Sequence, residues 1–153
     1  MKTPIQKVQD RLLKVKTILE NTAVCMAKND FVEKFILCEI AYKTLLREYK
    51  ISRNERYTEE KLTINMKQIS SVLRFFSIQI ESNILSHIFS SKEKRRGQKS
   101  AKLLRNGIVH SLDAGDMLEV FRRQNELQSY MNSFLYVFLP TTATQVEEPK
   151  TVA

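Results

Sequence analysis

Residues 103–113, LLRNGIVHSLD, place an arginine, an asparagine and a histidine inside an otherwise apolar stretch. Arg105 and Asn106 are adjacent, and His110 follows the arginine by five positions. These residue types suit a site that cleaves a phosphodiester. A histidine titrates near neutrality and moves protons as general base or acid. An arginine holds a phosphate through two parallel hydrogen bonds and offsets negative charge as the transition state forms. An asparagine orients the phosphate or fixes the imidazole tautomer. Asn106 and His110 are four apart and share a helix face, whereas Arg105 lies well round from His110. Convergence on one phosphate therefore predicts a bend or a helix start in the motif, for which Gly107 is suited. The plain alternative is a surface stripe on a bundle helix.

The flanking charges admit two readings. Lys92, Lys94, Arg95, Arg96, Lys99 and Lys102 lead into Arg105, opposed only by Glu93. Such a run is either a solvated helix face or a phosphate track feeding the motif with RNA. Arg122 and Arg123 extend the same surface, and Arg56 with Tyr57 offers a place to stack a base. Glu39 lies in an apolar helical stretch, where a buried carboxylate needs a partner; Arg105 is one candidate. An exposed pair with Lys43, four residues on, is the other. His87 has no acidic neighbour in sequence and reads as a helix-surface or core-edge histidine.

The elements that must position these groups are helical. With 153 residues, three glycines and three prolines, the chain reads as one all-α domain able to bury a core. Ile5, Val8, Leu12, Val15, Leu19 and Met26 alternate three-four spacing and predict a helix from about Pro4 to Lys28. Phe31 to Tyr49 is apolar on most sides and predicts a central second helix, followed by a loop over 50–57. Leu62, Met66, Ile69, Leu73, Phe76 and Ile80 predict a third helix from near Thr58. It either continues to Phe89 or breaks near residues 77–82.

Ser90 with Glu93, and Asp116 with Glu119, resemble capping boxes that open the motif helix and the last helix. Met117, Val120, Leu127, Met131, Phe134 and Phe138 run along that last helix to Pro140. Within it, Met117, Phe121, Met131 and Phe134 form a core or dimer seam. The expectation is an up-and-down bundle of four long helices plus a shorter motif-bearing helix over residues 1–139, with a disordered tail over 140–153.

A net charge of +8 favours an anionic partner, nucleic acid first, then an acidic protein or membrane surface. Cys25 and Cys38 lack metal-ligand spacing and read as reduced thiols of a cytoplasmic protein. No metal and no cofactor are expected. The opening MKTPIQKVQD has no apolar stretch suited to a signal peptide, and FLYVFL (134–139) is far too short to span a bilayer.

Arg105-Asn106 followed by His110, in the second half of a small helical chain, resembles the signature of the HEPN (higher eukaryotes and prokaryotes nucleotide-binding) domain family. That signature is an arginine, usually followed by a polar residue, then four to six residues and a histidine. The resemblance implies a metal-independent endoribonuclease in which Arg105 and His110 are catalytic and Asn106 supports them. It implies a homodimer with the two motifs facing a shared cleft, and products ending in a 2′,3′-cyclic phosphate and a 5′-hydroxyl. Many such proteins are toxins of toxin–antitoxin or anti-phage systems, with an antitoxin protein as further partner. Members silenced by adenylylation carry a tyrosine two residues beyond the histidine; Leu112 stands there, so that silencing is not implied. The alternatives are a non-catalytic helical RNA-binding or regulatory module, and a helical adaptor whose seams bind a partner's helix.

Overall fold

The computed structural model describes residues 2–22, 30–92 and 98–139. Seven α-helices account for most of them: α1 (Pro4–Thr22), α2 (Asp30–Ser52), α3 (Met66–Phe75), α4 (Ser82–Phe89), α5 (Ala101–Ser111), α6 (Ala114–Arg122) and α7 (Gln124–Leu135). There is no strand among the described residues. The proposed tail over 140–153 lies outside them, as do Lys94, Arg95 and Arg96.

α1 begins on a reciprocal cap. The Gln6 N–H donates to Thr3 Oγ1 at 3.1 Å, and the Thr3 N–H donates to Gln6 Oε1 at 2.9 Å. Two otherwise orphaned donors are satisfied at once, with Pro4 in the first turn where its missing N–H costs nothing. Val8 and Leu12 are buried against α2.

α2 is the axis of the molecule. Phe31, Phe35, Cys38, Ala41, Tyr42, Leu45, Leu46 and Tyr49 are buried along it, and α1, α3, α5 and α7 all pack on it. A helix apolar around so much of its circumference can be stable in water only when surrounded. Phe35, Phe89 and Phe134 pack edge to face in the centre, with ring centroids 6.1 and 5.3 Å apart. The Cys38 thiol donates to Met131 O at 3.8 Å, and burial pushes its pKa far up.

α2 runs past the expected Tyr49 to Ser52, into the expected loop, and the expected end of the first helix lies outside the described residues. The later described helices are shorter than the hydrophobic spacing predicts, none exceeding twelve residues. The expected third helix is three pieces. A single 3₁₀ turn at Glu59–Lys61 precedes α3, which Asn65 caps by accepting from the Lys67 N–H at 2.9 Å. α3 then stops at Ser77, whose φ is +58°. There the Ile78 N–H bonds Leu73 O at 2.9 Å, a Schellman closure that satisfies the last carbonyls and turns the chain.

The expected last helix is two pieces, α6 and α7, meeting at Arg123. Its Nη1 donates to Lys99 O at 2.8 Å, and its guanidinium also pairs with Glu119 and Glu126, one on each helix. The corner lets Leu127, Met131 and Phe134 of α7 enter the core, while Met117 and Phe121 of α6 are exposed. Half of the expected seam is therefore core and half is surface.

Candidate functional site

α5 carries the motif and is pinned at both ends. Ser100 caps its start by accepting from the Leu103 N–H at 3.2 Å, and its own hydroxyl donates to Ser90 O at the end of α4 at 2.6 Å. Ser90 closes α4 and does not open the motif helix as the spacing to Glu93 suggests. At the far end Leu112 adopts φ +49°, and the Asp113 N–H returns to Gly107 O at 3.1 Å. Asp113, not Asp116, then caps α6, accepting from the Asp116 N–H at 2.9 Å.

Gly107 makes no bend, because α5 is continuous from Ala101 to Ser111. Its role is close approach: a Cβ there would lie 1.7 Å from Asp116 Oδ2 and 2.8 Å from Asp116 Cγ. The glycine lets the buried Asp116 side chain, in the first turn of α6, lie on α5.

Arg105 is held on three sides. Nη1 lies 3.3 Å from Glu39 Oε1, Nε donates to Asn106 Oδ1 at 2.9 Å, and the guanidinium carbon lies 4.7 Å from the centre of the Phe35 ring. Its side chain is 18% exposed. The guanidinium still has N–H donors on Nη1 and Nη2 for an anion. Glu39 takes both of the partners that its sequence position offers, since Oε2 also lies 3.3 Å from Lys43 Nζ. Lys102, one turn before Arg105, donates to Ser91 Oγ at 2.8 Å. Partial burial lowers its pKa; Glu39 opposes this, while Arg105 and Lys43 add to it. Two cations thus share one carboxylate across the α2–α5 seam, with Lys102 one turn from Arg105 on the same helix.

His110 does not join this cluster within the chain. It is exposed on the last turn of a straight helix, about 140° round from Arg105. No hydrogen bond among the described residues fixes its ring. Asn106 spends its carbonyl oxygen on Arg105 and leaves its amide donors for a ligand.

The flanking cations divide. Lys99 is committed to structure, its Nζ 2.8 Å from the buried Asp116 carboxylate and its N–H donating to Glu119 at 3.2 Å. Arg123 is likewise taken up at the α6–α7 corner. Lys92 and Arg122 are exposed. Arg56 is exposed beside a half-buried Tyr57, over an open hollow of about 510 Å³ with Glu55, Thr58 and Lys61. His87 stacks on Tyr130, with ring centroids 4.1 Å apart and planes 13° from parallel. Its Nδ1–H donates to Asn83 O at 2.7 Å, which leaves Nε2 as the acceptor nitrogen.

Phe35, Lys43 and Ser91 complete the cluster. Phe35 lies one turn before Glu39 on α2, a spacing visible in sequence; nothing local marks Ser91. No group of three or more His, Cys, Asp or Glu side chains is placed to hold a metal ion among the described residues. No helix among them is long and apolar enough to cross a membrane. Comparison with protein-family models, with curated proteins and with solved structures finds no match to this chain.

Proposed function

We propose that the chain is a metal-independent endoribonuclease of HEPN type, acting in the cytoplasm as a toxin of a toxin–antitoxin or anti-phage system. The observation that carries this reading is the Arg105 guanidinium. It is oriented by Glu39, Asn106 and Phe35, has free donors, and stands beside Lys43 and Lys102. A guanidinium so fixed suits a phosphate's geometry and loses little freedom on binding it.

In this reading Arg105, Lys102 and Lys43 receive the phosphate, and Asn106 donates to one of its oxygens. His110 takes the proton from the 2′-hydroxyl as the 2′-oxygen bonds to phosphorus. The phosphorus–5′-oxygen bond breaks, and the 5′-oxygen leaves with a proton from the second histidine of a homodimer. The 140° between Arg105 and His110 is the reason for a second copy, because one straight helix cannot aim both at one phosphate. Lys94, Arg95 and Arg96 extend the phosphate track in sequence.

The deciding experiment incubates purified protein with RNA in EDTA, comparing wild type, Arg105→Ala and His110→Ala. Cleavage should leave a 2′,3′-cyclic phosphate and fail on a strand lacking the 2′-hydroxyl. His110→Ala should lose about a hundredfold or more, and Arg105→Lys should be poor because an ammonium lacks the two-pronged geometry. Cutting of DNA, or a need for added magnesium, overturns the assignment.

A second reading, a non-catalytic RNA-binding module, is favoured by one observation: among the described residues no hydrogen bond orients the exposed His110 ring. RNA binding with a steep salt dependence and no cleavage selects it.

A further inference from the structure

α6 is built inside out. Asp116 is buried and Glu119 and Arg123 are largely covered on its inner face, whereas Met117, Leu118 and Phe121 are 43%, 56% and 73% exposed on its outer face. With Ala114 these residues fall at i, i+3, i+4 and i+7, a single stripe opposite Asp116. At the adjoining end of α5, Val109 and Leu112 are 51% and 76% exposed. Five of the nine large exposed hydrophobics among the described residues therefore fall between positions 109 and 121. Val120 packs on the core and Arg122 is exposed beside the stripe. Even so, a nine-residue helix that covers both of its carboxylates and turns Met117, Leu118 and Phe121 outward lacks a partner for that face.

We propose that the partner is a second copy of this chain, packed antiparallel along α6. The stripe is complementary to its own reverse. Turned end for end, it sets Phe121 against the second copy's Ala114, large against small, and brings Leu118 onto Leu118 and Met117 onto Met117. The stripe itself carries no charge. An RNA or an acidic protein has nothing to pair with there, while two copies of a +8 chain meet without opposing their cations. The apolar surface available is on the order of 500 Å² per copy, which with a polar rim reaches the low end of specific interfaces.

This contact places the two-fold pairing that the nuclease reading uses, with His110 beside the interface. It rests on the outward stripe and not on the motif, so either can fail alone. Sedimentation of the full chain at about 10 μM tests it, with Leu118→Arg and Phe121→Asp as variants. Wild type should sediment at twice the chain mass. Each variant should be monomeric, weakening association at least tenfold, while keeping wild-type helicity by circular dichroism. A monomeric wild type, or a dimer indifferent to both substitutions, overturns the proposal. If the charged variants fail to fold, Leu118→Cys decides. Mild oxidation should trap it as a covalent dimer, and the exposed control Glu60→Cys should not be trapped. Absence of that cross-link overturns the proposal as well.

Discussion

Gly107 and Asp116 occupy nearly the same space: the α-carbon of one lies so close beneath the carboxylate of the other that a methyl group would overlap it, 1.7 Å from Oδ2. Gly107→Ala should therefore destabilise the fold although alanine is the better helix former by about 1 kcal/mol. Asp116 cannot swing aside cheaply, being buried and bonded to Lys99. The expected net loss is about 1–2 kcal/mol, a fall in melting temperature of about 4 °C. In an Asp116→Ala background the same substitution should cost less, since the clash is gone.

Five residues on, the preference reverses. Leu112 is a branched residue at φ +49° with its side chain in solvent. Leu112→Gly should stabilise by about 1 kcal/mol, because the left-handed conformation is strained for leucine and free for glycine. Thermal melts in the Phe121→Asp background keep self-association out of the comparison. No gain there would mean that the leucine contributes packing within the chain.

Glu39 restrains the cation cluster and also blunts it. Glu39→Gln should cost about 1–2 kcal/mol of stability, since Arg105 and Lys43 lose their shared counter-charge in a partly buried setting. The same change should raise affinity for single-stranded RNA about three- to tenfold at low salt, the gain shrinking as salt rises. Filter binding across a salt series checks it. Weaker binding would show that Glu39 matters to RNA chiefly by orienting Arg105.

The Arg47–Glu59 pair gives a pH signature. A hydrogen bond from Arg47 holds the Glu59 carboxyl below its ordinary value of 4.5. A carboxylate whose pKa is lower folded than unfolded adds stability above its unfolded value and loses it as pH falls through the folded one. Glu59→Gln should thus melt slightly below wild type at pH 7, and the gap should close in acid below pH 4.5. The effect is small because the pair is exposed. A gap that widens in acid would contradict the assignment.

The helical class is legible in the three-four spacing of Val8 and Leu12, or of Ile69 and Leu73, because that period excludes strands. The helix ends are not. Ser77 enters the left-handed region without the glycine that usually announces it, so the break within residues 58–89 has no strong signal. The apolar spacing from Met117 to Phe138 runs on in register through Arg123, and what marks the division is the long-range bond from Arg123 to the Lys99 carbonyl. At the site, Glu39 on an apolar helix announces its need for a cation, and Arg105 and Lys43 both answer. The contribution of Asp116 is hidden, since Asp113 fits the capping role three residues earlier and frees Asp116 for burial against Gly107. The flexibility of that glycine suggests a bend, whereas its use in the fold is close approach.

The central placement of α2 sets two clocks in the molecule. Its amides lie beneath α1, α3, α5 and α7 together, so the peptide groups around Glu39 should exchange hydrogen with solvent only when the whole fold opens. α6 is nine residues long, packs on α5 and α7, and turns its apolar stripe to water. In the monomeric Phe121→Asp variant its amides should exchange through local lifting, far faster than those of α2. The guanidinium of Arg105 is thus anchored to the slowest part of the chain, while His110 stands one turn from the fastest.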